Sequence, residues 1–344
     1  MWTDENMRLN LLYQFNEKYV PYAGVSIFSA LENNKDLDEI VIYILGENLS
    51  QESMDRLFKM VSGAGRKLFF IETKELILKM KALDMPAYRG SYAANMRLFL
   101  DEVLNESVHR VVYLDADTII NKSLKDLVET DMQGKAIGMV LDSLGASHKK
   151  QIGLKDTDSY FNSGVILFDM HKWKERKYSE RIARHVSEQR NNYPAPDQDL
   201  LNIVCRNDIF SLDISYNFQP IHAISSGKQY FRIMRPKVYY DRKMLERPKE
   251  DIAIYHCFRF IGEFPWDKGN LHPFTEMFDE YRMQSLWRNY RKEEVRLGFP
   301  IKVEKLLFGI LPRPVFLYIF KIAHALFLYQ SNRDALKNKT NKLM

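Results

Sequence analysis

Two aspartates that are separated by one residue follow an apolar run near the middle of the chain. Asp115 and Asp117 lie in the stretch VVYLDADTII, residues 111–120. Carboxylates repel each other and resist burial, so their placement needs a compensating interaction. A hard divalent cation such as Mg²⁺ or Mn²⁺ would provide it, because such ions take oxygen ligands and carry opposite charge. The motif therefore suggests a metal site that leaves positions open for substrate phosphates.

Two other interpretations of the motif compete with a metal site. In the first, the carboxylates cap a following helix, which is common chemistry at a strand end. In the second, YLDADTII resembles the nucleophile motif of haloacid-dehalogenase phosphatases. That motif prefers Thr or Val where this chain has Ile119, and its partner sequence G-D-G-x-x-D is absent. The nucleophile strand also usually opens the domain, whereas over a hundred residues precede it here. These differences argue against a phosphatase.

Three further groups of polar residues lie downstream. Asn162 and Ser163 precede a buried apolar run, where an amide can donate to ligand hydroxyls, and Gly164 permits close approach of a ligand. The stretch PDQDLLN, residues 196–202, places acidic residues and a glutamine at the start of a helix, and His256 ends another apolar run. Each group alone also fits a structural role, such as an acidic first helical turn or a core histidine. Their occurrence together, in this order, favours a functional site.

The elements that would position these residues form an alternating pattern. Short apolar runs predict strands buried on both faces, and stretches with apolar residues at i, i+3 and i+4 predict helices between the early ones. Alternation of this kind predicts an α/β fold with a mostly parallel sheet, in which ligands bind at the carboxyl ends of strands. The predicted strands are residues 9–15, 40–45, 67–72, 110–117, 136–141 and 164–170, and the predicted helices are 22–34 and 92–104.

Composition excludes several classes of protein. A chain of 344 residues with 46% hydrophobic content can bury a large core. The two cysteines, Cys205 and Cys257, have no paired spacing, so we expect neither a disulfide framework nor a cysteine zinc site, and a reducing, cytoplasmic setting. The N-terminal residues lack the apolar region of a secretory signal. Residues 297–344 carry eight Lys or Arg and two acids, a net charge of +6. The whole chain carries +5, so the rest of the chain carries 5 − 6 = −1, and a nucleic-acid-binding body is not supported.

The C-terminal part of the chain has a different composition. Residues 311–330 are apolar and aromatic, but Lys321 and His324 interrupt them, and a bilayer span needs about 18–20 apolar residues. A helix lying in the membrane interface, with basic residues near anionic headgroups, fits this pattern. A helix packed on the domain or a dimer contact is the alternative. We therefore predict a catalytic domain at 8–280 and a basic, aromatic helical tail at 281–344, which makes peripheral contact with the inner face of the cytoplasmic membrane.

The ordered set of motifs resembles the retaining glycosyltransferases of family 8, which include bacterial lipopolysaccharide galactosyl- and glucosyltransferases and glycogenin. The resemblance covers about residues 8–270. It implies a GT-A fold, a UDP-galactose or UDP-glucose donor, Mn²⁺ with Mg²⁺ as the alternative, and a glycan or lipid-linked saccharide acceptor in surface polysaccharide synthesis. The motifs that carry it are NEKYVPYAGVSIFSALENN (16–34), YAANMRLFLDEVL (92–104), VVYLDADTII (111–120), YFNSGVILFDM (160–170), PDQDLLN (196–202) and YHCFRFIGEFPW (255–266).

The resemblance also implies roles for individual residues. Asp115, Asp117 and His256 match the metal ligands of the family. Gln198 matches the residue on the β face of the donor sugar, nearest the anomeric carbon, and Asp197 matches the acid that binds sugar hydroxyls. The other residues matched to donor binding are Asn16 and Tyr19 at the base, Asn162 at the sugar, and Arg97, Ala116, Ser163 and Gly262.

Both the spacing and one residue depart from the family pattern in this region, where five residues separate His256 from Gly262. The family usually ends this region with H-x-x-G-x-x-K-P-W, in which the lysine contacts the diphosphate, whereas this chain has Phe264 in place of the lysine. A diphosphate still needs a cation, which suggests Arg259 or Lys268 as substitutes. The missing lysine also leaves open a catalytically silent protein that binds nucleotide sugars as a partner subunit. We expect acceptor contacts from Asp142 and the loop at 143–160, and from residues 217–245.

Overall fold

The computed structural model describes residues 8–87, 90–142, 148–189, 193–323 and 326. The strands are β1 (Arg8–Asn16), β2 (Glu39–Glu47), β3 (Lys67–Ile71), β4 (Arg110–Leu114), β5 (Thr118–Ile120), β6 (Ile137–Leu141), β7 (Phe161–Asp169), β8 (Ile209–Ser211) and β9 (Ile254–His256). The α-helices are α1 (Val20–Asn33), α2 (Gln51–Gly63), α3 (Lys74–Ala82), α4 (Lys125–Glu129), α5 (Met170–Glu175), α6 (Tyr178–Gln189), α7 (Pro196–Val204), α8 (Pro220–Ala223), α9 (Gly227–Met234), α10 (Arg242–Leu245), α11 (Thr275–Gln284) and α12 (Phe299–Ile310). Short 3₁₀ helices span Glu17–Tyr19, Ala93–Glu102, Lys149–Ile152, Ile214–Tyr216 and Lys249–Asp251, and residues 313–323 are helical.

The main sheet has seven strands in the order β3-β2-β1-β4-β7-β6-β8. Its pairs are parallel except those of β7, which runs antiparallel to both β4 and β6. Neighbouring residues of β1, such as Leu11 and Leu12, point to opposite faces and are both fully buried, so both faces of the sheet are covered. The predicted α/β fold with a mostly parallel sheet is confirmed.

The strand boundaries change where the polar motifs lie. The strand predicted at 110–117 ends at Leu114, so both aspartates lie beyond the strand, in the turn that leads to β5. The strand predicted at 164–170 begins at Phe161, so Asn162 and Ser163 are part of β7 and do not precede it. The aspartates therefore lie in a turn, outside the strict alternation of a strand, whereas Asn162 belongs to a buried strand.

The helix predicted at 92–104 forms as a 3₁₀ helix with a non-helical residue, Phe99, inside it. The backbone N–H of Arg97 donates to Oε1 of Gln14 at 2.9 Å instead of to a helical carbonyl. Side-chain acceptors of this kind compete with the regular helical bond. The apolar periodicity predicted the buried face correctly, but the sequence does not show that Gln14, on β1, interrupts the helix.

A two-stranded antiparallel ribbon joins distant parts of the chain. β5 pairs with β9, and Thr118 lies opposite His256 in this pairing. The N–H of Cys257 donates to the carbonyl oxygen of Asp117 at 2.7 Å, which extends the pairing by one bond toward the aspartates. The ribbon thus fixes the end of β9 beside the turn after β4.

The C-terminal segment packs on this domain with part of its surface. The Trp287 ring lies so close to Gly24 of α1 that a Cβ there would approach it to 2.2 Å. Phe308 of α12 and Phe316 of the following helix are buried against Phe260. In the part of the chain that the structure describes, no helix is long and apolar enough to cross a membrane.

Candidate active site

Three potential metal ligands meet at the carboxyl end of β4. One ligand atom from each of Asp115, Asp117 and His256 lies within 4.8 Å of the others. Nε2 of His256 is 3.6 Å from Oδ2 of Asp115 and 3.4 Å from Oδ1 of Asp117. Two carboxylates and an imidazole form a donor set that suits Mn²⁺ and other divalent cations. The structure brings together the three residues that the resemblance matched to metal ligands, although they are 141 positions apart in the sequence at the extremes.

Gly164 provides the space for the histidine. A Cβ at this position would lie 2.1 Å from Cε1 of His256 and 2.5 Å from its Nδ1. The N–H of Asp115 also donates to the Gly164 carbonyl oxygen at 2.8 Å. The sequence suggested that this glycine admits a ligand, and the structure instead shows the imidazole of His256 in that space.

Asn217, which the sequence analysis did not identify, fixes the tautomer of His256. The side-chain oxygen of Asn162 accepts from the Gly164 N–H at 2.9 Å, so Nδ2 of Asn217, at 2.8 Å, must donate to the same oxygen. The oxygen of Asn217 then faces Nδ1 of His256 at 2.9 Å. An amide oxygen only accepts, so Nδ1 carries a hydrogen, and Nε2, which faces the carboxylates, is the nitrogen left to bind a cation. Asn217 is fully buried and belongs to no motif that marks it in the sequence.

The carboxylates dominate the charge of this cluster. Burial lowers the pKa of the His256 imidazole, but the negative charges of Asp117 and Asp115 raise it more, so its pKa lies above the ordinary value. The cluster therefore attracts positive charge. The donor atoms and the fixed tautomer fit a bound divalent cation, with Asp115, Asp117 and His256 as its ligands.

Arg97 joins Asp115 of this cluster to Asp197, which lies in the first turn of α7. Its Nη2 donates to Oδ1 of Asp115 at 3.1 Å and lies 3.3 Å from Oδ2 of Asp197, while Nη1 donates to the Ser163 carbonyl. The guanidinium stacks on the ring of Tyr113 with its carbon 3.9 Å from the centroid. Burial raises the pKa of Asp197, and the Arg97 charge opposes this rise without cancelling it. Arg97 is 3% exposed, so in this structure it orders the carboxylates; whether it also reaches a donor stays a prediction.

Asp197 and Gln198 begin α7 and point toward the start of β7. The Ser163 hydroxyl donates to Oδ2 of Asp197 at 2.9 Å, and the Ser163 N–H donates to Oε1 of Gln198 at 3.0 Å. Nε2 of Gln198 donates to the Tyr160 hydroxyl at 3.0 Å and to Oδ2 of Asp142 at 3.2 Å. Both ends of the glutamine amide are therefore held by protein groups, and Asp142 belongs to the site.

The remaining residues matched to donor binding lie around this cluster. Ala116 is buried between the two aspartates, and Asn162 donates from Nδ2 to Asp142 at 3.0 Å. Asn16 ends β1, and its side-chain oxygen is buried without a hydrogen-bond partner among the described residues. Tyr19 is half-buried in the short helix after β1. A buried amide oxygen without a partner needs an explanation, and a polar ligand at the end of β1 would provide one.

The region of the missing lysine contains an aromatic stack. Phe264 stacks on Trp266 with centroids 4.5 Å apart, and Trp266 stacks on Tyr22 at 3.9 Å. Arg259 is exposed, and its guanidinium carbon lies 5.0 Å from the Phe264 centroid on the ring face. A cation–π contact thus places the Arg259 guanidinium next to the Phe264 ring.

The other two predicted residues of this region are differently placed. Lys268 is exposed and pairs with Glu294 at 2.9 Å, so its charge already has a partner. Gly262 has a φ of +76°, and a Cβ there would lie 2.8 Å from Ile301 of α12. This positive φ, with the close contact, explains the glycine without a ligand. The contacts of Lys268, with Glu294, and of Gly262, with Ile301, do not connect either residue to the cluster of Asp115, Asp117 and His256.

Comparison with known proteins relates this geometry to one family. A family model described as glycosyl transferase family 8 matches residues 10–267. A putative glycosyltransferase of Haemophilus influenzae is 29% identical over 62% of this chain and 64% of its own length, and a lipopolysaccharide 1,2-glucosyltransferase of Escherichia coli K12 is 26% identical over 82% of this chain and 79% of its own. The crystal structure of galactosyltransferase LgtC with donor and acceptor sugar analogs superposes with a TM-score of 0.65 at 21% identity, over 82% of this chain and 99% of that one. The last likeness shows the GT-A fold.

We predict that Asn217→Ala weakens divalent-cation binding. The substitution leaves Nδ1 of His256 without its acceptor, and removal of such outer partners typically lowers metal affinity by about 10- to 100-fold. Isothermal calorimetry with Mn²⁺ measures the change. Asn270→Ala is the matched control, because Asn270 is also an asparagine with several bonds but contacts none of the three ligands. Equal Mn²⁺ affinity in wild type and Asn217→Ala would contradict the assigned role.

Proposed function

Because the chain belongs to glycosyl transferase family 8, we propose that it transfers a hexose, galactose or glucose, from a UDP-sugar to a glycan or lipid-linked acceptor with retention of anomeric configuration. The observation that carries this proposal is the convergence of Asp115, Asp117 and His256 beside Gln198 and Asp197 at one end of the sheet. The names of relatives, which include a lipopolysaccharide 1,2-glucosyltransferase, support a role in bacterial surface polysaccharide synthesis.

The charges of the site suit the cleavage of a sugar–phosphate bond. Such cleavage leaves an anionic diphosphate and a sugar with oxocarbenium character, so positive charge is needed at one end and oxygen dipoles at the other. A divalent cation, proposed to be Mn²⁺ with Mg²⁺ as the alternative, supplies positive charge at the diphosphate when bound by the three ligands. We assign Asp197 to the sugar hydroxyls and the oxygen of Gln198 to the electron-poor anomeric carbon. Asn16 and Tyr19 are assigned to the uracil.

A second candidate function is suggested by one residue. Phe264 stands where the family usually has a lysine, which would suit a protein that binds a nucleotide sugar without turning it over. Mn²⁺-dependent hydrolysis of UDP-sugars separates the two functions, because a transferase slowly releases UDP from its own donor. A panel of UDP-sugars in the same assay identifies the donor, since galactose and glucose differ in the orientation of one hydroxyl.

We predict that Asp117→Asn reduces UDP release by at least about 100-fold, because loss of one charged ligand weakens the metal and its charge at the diphosphate. Chelation of the divalent cation should do the same to the wild type. The control is Asp126→Asn, since Asp126 is exposed in α4. Full activity of Asp117→Asn, or of the wild type in excess chelator, would refute the proposed metal-dependent transferase.

We propose that Arg259 provides the diphosphate cation that the family takes from lysine. Its side chain lies over Phe264 and is exposed to solvent, and a guanidinium can bind two phosphate oxygens at once. Lys268 is the less suitable candidate because its ammonium group already forms an ion pair with Glu294.

We predict that Arg259→Ala raises the donor KM by about tenfold, the effect of losing one charge-assisted hydrogen bond. Lys268→Ala is the matched control and should leave the donor KM unchanged, although it also removes one positive charge. Steady-state kinetics with varied UDP-sugar measures both. An unchanged KM in Arg259→Ala would exclude Arg259, and a raised KM in Lys268→Ala alone would transfer the role to Lys268.

We also propose that the C-terminal helices, residues 299–323, dock on an anionic membrane at the cytoplasmic side. One face of these helices is buried on the domain, but the other exposes Phe299 by 79%, Leu306 by 61% and Ile310 by 65%. The net charge of +6 over residues 297–344 favours anionic headgroups. Exposed apolar side chains flanked by basic ones are typical of helices that lie in the membrane interface.

We predict that the double substitution Leu306→Glu/Ile310→Glu lowers binding to phosphatidylglycerol vesicles by tenfold or more, since burial of each side chain contributes about 1.5–3 kcal/mol. Co-sedimentation with vesicles measures the bound fraction. The matched control is Phe58→Glu/Leu78→Glu, which changes two side chains of similar exposure on α2 and α3. Equal loss in both variants would indicate a nonspecific charge effect and would contradict docking through residues 299–323.

A further inference from the structure

A buried carboxylate that is not a metal ligand lies next to Gln198 in the sequence. Asp199 is 0% exposed and accepts three hydrogen bonds. Its Oδ1 is 2.6 Å from Nε2 of His148 and 2.7 Å from the Tyr160 hydroxyl, and its Oδ2 accepts from the N–H of Ala195 at 3.0 Å. A buried carboxylate with this many donors is held in one orientation.

The Tyr160 hydroxyl transmits that orientation to Gln198. Because the Asp199 oxygen accepts, the Tyr160 hydroxyl donates its hydrogen to it and presents its lone pairs elsewhere. The group of Gln198 that faces this hydroxyl, 3.0 Å away, must therefore be its NH₂ group. The amide oxygen is then turned to the opposite side, where the Ser163 N–H donates to it at 3.0 Å. The hydrogen-bond polarity thus selects which end of the glutamine amide faces which neighbour.

His148 is the basic partner of Asp199. Burial lowers the pKa of its imidazole, but the hydrogen bond and charge of Asp199 raise it more, with a further rise from Asp142, so the pKa is above the ordinary value. Among the described residues, the titratable and charged groups that face His148 are Asp199 from α7, Asp142 from the end of β6 and the Tyr160 phenol, with Lys149 next to it in the chain. None of these is one of the three metal ligands.

We infer that His148 and Asp199 are positioning residues that, through Tyr160, hold the Gln198 amide oxygen in the orientation needed at the donor sugar. The inference rests on the proposed function, in which that oxygen faces the anomeric carbon. Neither His148 nor Asp199 is proposed to contact the sugar. These two residues determine the fraction of molecules in which the Gln198 amide has the required orientation. Their removal is therefore expected to lower kcat and to leave donor binding unchanged.

Removal of the central hydroxyl tests the connection. Tyr160→Phe should lower kcat for UDP release about tenfold and leave the donor KM within about twofold, because one hydrogen bond to the amide is lost. The matched control is Tyr178→Phe, in which another buried tyrosine loses its bond to a carboxylate, Asp208, at 2.6 Å. An equal fall of kcat in both variants, or a change confined to KM, would overturn the inference.

The pH dependence tests the role of His148. Because the pKa of His148 is raised in the folded protein, the attraction between its charged imidazole and Asp199 is complete below about pH 6.5. This attraction is lost as the pH rises through the raised pKa. Wild-type kcat should therefore fall on this alkaline limb, whereas His148→Gln should have a lower kcat without that limb. His171→Gln, at an exposed site on α5, should keep the wild-type profile. A His148→Gln profile identical to the wild type would overturn the inference.

A readout without catalysis separates this inference from the proposed function. In Asp199→Asn, the NMR titration midpoint of His148 should fall toward about 6.5, and in Tyr160→Phe the side-chain amide resonances of Gln198 should shift and exchange faster with water. If these changes occur and the wild type releases no UDP, the proposed function fails while the hydrogen-bond network stands. If the Gln198 resonances are unchanged in Tyr160→Phe, the inference fails whether or not UDP is released.

Discussion

The site depends on one buried guanidinium that holds carboxylates close together. Two negative charges about 4 Å apart repel by about 4 kcal/mol at an effective dielectric constant of about 20, so a group of aspartates is unstable without positive charge. Arg97 contacts Asp115 and Asp197 and is itself nearly inaccessible to solvent. Its position in turn requires the irregular 3₁₀ helix, whose backbone bonds to Gln14 of β1. The local departure from regular helix is therefore part of what assembles the site.

Topology performs the second half of the assembly. β4 pairs with the antiparallel strand β7, which places Gly164 beside Asp115, and the ribbon of β5 and β9 places His256 beside Asp117. Side chains alternate between faces along a strand, so a slip of one residue in the ribbon would turn the imidazole away from the aspartates. The backbone bond from Cys257 to Asp117 fixes this register. The chemistry of the cluster is thus set by the pairing of two short strands.

The strands and the order of the polar motifs could be predicted from the sequence because both are local patterns. Apolar runs of strand length mark the sheet, and the family resemblance identified the aspartates and the histidine together. Asn217 could not be found in this way, because its partners Asn162 and His256 are 55 and 39 residues away and its role exists only in the folded chain. The sequence did not reveal the role of Gly164 for the same reason. The imidazole that occupies the space beside this glycine belongs to His256 at the end of β9.

The loop after β9 shows how one substitution can be accommodated without loss of the surrounding structure. A lysine at the position of Phe264 would bring charge to the loop but could not stack on Trp266 as a flat ring does. The phenylalanine extends an aromatic stack that stiffens the loop, and its free face carries a guanidinium from Arg259. The preceding residue, Glu263, pairs with Lys305 of α12 at 2.7 Å, which ties the same loop to the C-terminal helices. In the proposed function, positive charge and packing, which one lysine side chain would have to combine, are divided among Arg259, Phe264 and Glu263.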